Sequence, residues 1–241
     1  MTATTDNSAR SRKLETAQSG TARAALLGIS DGLVTNVSLI LGVAATGVDP
    51  SLVRIAGVAS LIAGAISMAV GEYISMRGQV ELLTSILDAE RAELHRHPDN
   101  VHNQLTSILI GDGVTEGTAH NAAVEIARHP EKAMSMYARG RLGINPDELG
   151  SAWGSAISSF GMFAAGAAIP LAPWFLAGAG ARPATLLSLS LSALAALSIG
   201  AYLGLNTNGR WVRSALRQLL VLILAAGATY LVGILFHVNV A

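Results

Sequence analysis

Residues Ala184–Leu205 read ATLLSLSLSALAALSIGAYLGL, with no charge anywhere in the run. About 20 mostly apolar residues cross the roughly 30 Å of hydrocarbon in a bilayer. Serine is tolerated there because its hydroxyl bonds the preceding turn. Four further segments have the length: about Ala24–Thr46, Leu52–Ile74, Trp153–Leu176 and Val212–Phe236. The expected fold is all-α, a polytopic membrane protein with five transmembrane helices. The first segment begins late, holds Asp31 in its early turns and is too long for a signal-peptide core, so it reads as a span and not a cleaved leader.

Charge placement organises the rest. Of 241 residues 13% are charged, against about 25% in a soluble domain, and mean hydropathy is +0.47. Lys plus Arg is 16, matching 16 Asp plus Glu. That balance excludes a strongly basic nucleic-acid binder, and zero cysteines exclude a disulfide scaffold or a thiolate site. Eighteen of the 32 charges fall between Arg77 and Glu148. The chain thus divides into a polar tail (1–23), spans one and two (24–76), a polar helical insertion (77–150) and spans three to five (151–241).

Basic residues favour the cytosolic side of a membrane. With the N-terminus in the cytosol, 14 of the 16 basic residues are cytosolic and only Arg54 and Arg182 lie outside. The expected topology is N-terminus cytosolic, C-terminus outside, with the insertion between spans two and three in the cytosol. High Ala and Gly content, compact length and the lack of a targeting peptide point to a bacterial plasma membrane.

The insertion begins as a continuation of span two. Val80, Leu83, Leu87 and Leu94 form a helical stripe, and the helix is expected to run to about His97, stopped by Pro98. Helices over about Val101–Ile110, Thr115–Arg128 and Glu131–Arg141 should follow, and RLGINPDELGS (141–151) reads as a loop. So small a domain, modest in apolar residues, points to a neighbouring copy, hence a homodimer.

Ionisable groups inside a span are costly and are read as functional. There are two, Asp31 in span one and Glu72 in span two, expected at similar depth. Met68, Glu72 and Met76 recur at i, i+4 and i+8, which places a carboxylate between two thioethers on one helix face. That ligand set suits a borderline ion such as Fe²⁺ better than Mg²⁺. Two plainer readings stand beside it: Glu72 solvated among headgroups, and Asp31 as a first-turn acid favoured by the helix dipole.

SDGLVTNVSLILGV (30–43) and AGAISMAVGEYISM (63–76) resemble the vacuolar iron transporter family. The five spans, the insertion and IPLAPW (169–174) are also similar. The resemblance implies a dimeric, proton-coupled antiporter that moves Fe²⁺ or Mn²⁺ out of the cytosol, the metal being cargo and no cofactor being resident. It assigns the span-one aspartate to Asp31, the span-two methionine to Met68, and a Glu-x-x-Glu metal pair to Glu90 and Glu93. This chain departs from the pattern at Ser60, Val101, Gln104 and Arg141, where some members carry acids. It therefore resembles a bacterial-type member with a reduced set of glutamates. His95, His97 and His102, close to the glutamate pair, are candidate replacement ligands, since imidazole binds Fe²⁺, Zn²⁺ and Ni²⁺. The alternative to transport is a membrane-anchored metal sensor or adaptor. An enzyme is not expected: GISDG and GAISM follow no strand, so neither is a nucleophile elbow.

Overall fold

A computed structural model describes residues 20–176, 180–207 and 209–235. Among these residues there is no strand. Helices α1 (Gly20–Ala45), α2 (Pro50–Arg96), α6 (Ala152–Leu176), α7 (Ala181–Thr207) and α8 (Trp211–Leu235) are each long and apolar enough to cross a membrane. Between α2 and α6 lie α3 (Pro98–Gly111), α4 (Glu116–Ala127) and α5 (Pro130–Tyr137). The chain forms two compact units, one of Met1–Ile74 with Ala152–Ala241, the other of Ser75–Ser151.

The first unit is built around α1. Between membrane helices, association depends on close approach more than on apolar burial, so small residues carry it. Gly28 and Gly32 meet the backbone of α6: a Cβ on Gly28 would stand 2.9 Å from the Ser159 carbonyl oxygen, and one on Gly32 would fall onto the Phe163 carbonyl. Gly166 answers from α6, where a Cβ would strike the Ile29 carbonyl. On another side of α1, the Thr229 hydroxyl of α8 donates to the Ser38 carbonyl at 2.8 Å. Leu33, Val37 and Leu41 of α1 close a core with Ala196, Leu222 and Ala226.

Proline shapes α6. Pro170 and Pro173 lie inside it, and each removes one intrahelical donor. Neighbouring helices supply polar groups to the same turns. The Asn36 amide donates to the Ala167 carbonyl at 2.6 Å, and the Ser188 hydroxyl to the Pro170 carbonyl at 2.7 Å.

The α1–α2 turn is short. Gly47 takes φ 79°, which a side chain would disfavour. Asp49 then caps α2, accepting the Ser51 amide at 2.8 Å, with Pro50 in the first helical turn. Hydrogen bonds from the Ser51 side chain and backbone hold the Asp49 carboxyl below its usual value. On α2 a stripe including Ile55, Ile62, Ile66, Val70 and Ile74 is exposed.

The second unit packs Leu87, Met134, Tyr137 and Ala138 together, with Leu94, Ile108 and Leu142 against them. A second cluster holds Leu105, Ala123 and Ala133. Leu87 and Leu94 of the expected stripe on α2 thus pack in this core. Two boundaries differ from the sequence reading. Pro98 opens a helix rather than only ending one, because a first-turn residue has no intrahelical use for its N–H. The last short helix gives way after Tyr137 to a π turn, Ala138–Leu142, closed by Gly143 at φ 67°. Arg139 ties down the following loop, pairing with Asp147 at 2.6 Å and Asn145 at 3.1 Å.

Candidate functional site

Asp31 follows directly from the α1 packing. Gly28 and Gly32 turn one face of the helix to α6, and Asp31, about 100° from Gly32 on a 3.6-residue helix, is exposed. Its carboxylate accepts the Thr35 hydroxyl one turn on, at 3.2 Å. Among the described residues it has no ion-pair partner.

Met68 is half-buried against Ala65, Phe163 and Ala167. Glu72, one turn beyond on α2, has a side chain only 11% exposed; its Oε2 lies 3.9 Å from an Arg23 guanidinium nitrogen and takes no hydrogen bond. Tyr73 stacks obliquely on Trp153 beside it, ring centroids 4.9 Å apart.

These positions correct the expectation of equal depth. Glu72 is level with Arg23 near the start of α1, and Asp31 lies eight residues further along, about 12 Å at 1.5 Å per residue. Counted from the Ala45–Pro50 turn, Asp31 is level with Gly64, one turn past Met68. The two acids and the thioether are therefore arranged in sequence: Glu72, then Met68, then Asp31. Ser60 lies one further turn along α2. Met76 belongs to the other unit, where it is buried with its sulfur over Gly150.

In the second unit, the two glutamates of the Glu-x-x-Glu pair are engaged separately. Glu90 accepts the Tyr137 hydroxyl at 3.0 Å. Glu93 pairs with Arg96 at 2.8 Å, and His97 stands 3.6 Å away. His95 lines a cavity of about 200 Å³ with Arg91, Leu94, Val101 and Met134. His102 on α3 meets His120 on α4, its Nε2 2.9 Å from the partner's Nδ1. Where acids were expected, Val101 packs on the Leu105 cluster, and Gln104 Oε1 is buried without a hydrogen bond. Among the described residues no three His, Asp or Glu side chains converge as a metal site.

Burial and the Glu90 carboxylate raise the Tyr137 hydroxyl above its ordinary 10. A raised pKa contributes stability that is complete below the unfolded value and lost as pH climbs through the folded one. Tyr137→Phe should therefore cost about 1 kcal/mol near neutrality, the net worth of one hydrogen bond. Past pH 10, wild type should lose melting temperature faster than the variant. Parallel thermal melts across that range check it; equal slopes would contradict the role given to Tyr137.

Arg23, Gly28, Gly32 and Tyr137 were not singled out for these roles in the sequence. The glycines carried a signal, the G-x-x-x-G spacing of close helix crossings. Tyr137 carried none, lying 47 residues from its partner.

Residues 22–234, which take in all five long apolar helices and the insertion, match the model of the VIT family. The chain belongs to the VIT family. It is similar to vacuolar iron transporter 1 of Tulipa gesneriana, 27% identical over 208 residues, 86% of this chain and 84% of the relative. It is 32% identical to a vacuolar iron transporter of Acanthamoeba castellanii over 192 residues, 77% and 68% of the two chains. A shorter match, 49% over 75 residues, joins 31% of this chain to 32% of vacuolar iron transporter homolog 4 of Oryza sativa subsp. japonica. These VIT family names are those of transporters rather than enzymes. With five apolar helices of spanning length, the chain is an integral membrane protein.

Proposed function

We propose that this VIT family member exports divalent iron, manganese or both from the cytosol in exchange for protons. The observation that carries the reading is Asp31: a carboxylate exposed on a spanning helix, with no cation paired to it among the described residues. An anion there is too costly to leave against lipid, so such groups face water-filled cavities or partners. A second copy of the chain, giving a homodimer, would cover this face and leave a path along it. Glu72 and Met68 would receive the metal and hand it to Asp31, each step pairing a borderline cation with oxygen or sulfur. Proton competition for Asp31 would couple the two flows. The relatives' printed names, vacuolar iron transporter, support iron as cargo.

The charge distribution favours a cytosolic N-terminus and insertion and an outward C-terminus, and the high Ala and Gly content favours a bacterial plasma membrane. Glu90, Glu93 and the neighbouring histidines would then meet cytosolic metal before it enters the path. Membrane anchoring of a sensor would require neither Asp31 nor Met68 within the spans. Flux into vesicles reconstituted with the full chain tests the proposal. Fe²⁺ or Mn²⁺ should move faster when the receiving side is acidic, with protons moving the opposite way. Absence of flux for both ions would end the transport reading, and flux indifferent to the pH gradient would end antiport.

A further inference from the structure

The pair His102 and His120 lies outside the path of Glu72, Met68 and Asp31, and the structure turns His102 to His120 on the next helix. The two rings come from different helices and meet edge to face, centroids 4.4 Å apart at 88°. His102 Nε2 and His120 Nδ1 are 2.9 Å apart. Neutral imidazole has one N–H and one lone pair, so one ring donates here and the other accepts. His102 is fixed on α3, where its carbonyl accepts the Thr106 hydroxyl at 2.8 Å. His120 opens onto a depression of about 670 Å³, also lined by Thr106, Glu116 and Asn121. Glu116 stands one turn before His120 on α4, so the two share a helix face.

We infer that His102 and His120 form a two-histidine binding site for a borderline divalent transition metal, with water completing the coordination. The geometry needs little change. Metal–nitrogen bonds of about 2.0–2.1 Å at a tetrahedral angle put the two nitrogens about 3.3 Å apart. The rings must separate by a few tenths of an ångström, and each must turn so that its lone pair points at the ion and not at the other ring. The proton between them need not leave the protein: the donating ring shifts to its other tautomer, which frees both facing lone pairs. Two imidazoles favour Cu²⁺, Ni²⁺ and Zn²⁺ over Mn²⁺, by ligand softness and by the Irving–Williams order. This preference opposes that of an all-carboxylate site. The pair would therefore hold ions at the bottom of the transported range weakly and their competitors tightly. None of this depends on the transport reading, since a two-histidine site binds whether or not the spans conduct.

The test uses the purified full-length protein without a polyhistidine tag. Equilibrium dialysis against Zn²⁺ or Ni²⁺ should show one equivalent that both His102→Gln and His120→Asn lose, or bind at least tenfold more weakly. Mn²⁺ uptake should be the same in all three proteins. Cu²⁺ bound to wild type should show coupling to two nitrogens by electron paramagnetic resonance, absent from either variant. Circular dichroism establishes that each variant is folded, and the two changes lie on separate helices. Unchanged Zn²⁺ and Ni²⁺ stoichiometry in both folded variants, or no binding by wild type, overturns the site. Asp31→Asn should keep this equivalent, so loss of flux and loss of this site are told apart.

Discussion

Replacing Asp31 with Asn should reduce metal flux by about 100-fold or more while the protein stays folded. The size follows from position. Outer-shell partners of a metal site alone are worth about 10–100-fold, and Asp31 is proposed as a ligand and as the proton-exchanging group. The substitution keeps shape and removes charge. Asn can still accept the Thr35 hydroxyl that Asp31 accepts at 3.2 Å, and the α6 crossing at Gly28 and Gly32 is untouched. Glu72→Gln should cost less, since Glu72 lies at the entrance of the path and already has Arg23 at 3.9 Å. The measurement is initial flux in vesicles at equal protein content, with size-exclusion profiles checking the fold. Wild-type flux through Asp31→Asn would mean that metal does not pass this carboxylate.

Much of this arrangement was legible in the sequence, and the reasons are physical. An uncharged run such as Ala184–Leu205 has no stable place in a small soluble fold, so the spans are fixed by length alone. The second half of α2 was readable because Leu87 and Leu94 repeat at helical spacing, and they pack as that spacing implies. Depth was harder. Asp31 and Glu72 look equivalent when each is measured from a guessed span end, but their levels depend on where the α1–α2 turn falls. That turn is set by Gly47, Asp49 and Pro50, and it places Glu72 beside Arg23 instead. Pro98 misled for a related reason. Pro98 reads as a stop, because proline cannot continue a helix, yet it suits the first turn of the next one equally well. Partnerships such as Tyr137 with Glu90 follow from how α2 and α5 pack, which no local pattern encodes.

The close crossing of α1 and α6 is where a single methyl group should do most harm to the fold. Gly32→Ala places a Cβ on the Phe163 carbonyl oxygen, and that oxygen belongs to backbone inside α6. A side chain could rotate away; a helix carbonyl cannot, so the two helices must separate. Overpacking of this kind costs about 1–3 kcal/mol, occasionally more, which is roughly 2–12 °C of melting temperature in a chain of this size. The Gly161→Ala control lies on α6 with nothing within 4 Å of its new Cβ, and it should melt at or above wild type, since Ala favours helix. Phe163→Ala should not rescue Gly32→Ala, because the clash is with the main chain and not the ring. Displacing α1 also moves Asp31, the next residue, so Gly32→Ala should lose flux as well as stability while Gly161→Ala keeps both. Thermal melts in detergent and vesicle flux on the same preparations decide the matter. If Gly32→Ala melts with wild type, α1 and α6 do not cross this closely. If it melts early yet conducts normally, the placement of Asp31 on a rigid α1 is not what the ion path requires.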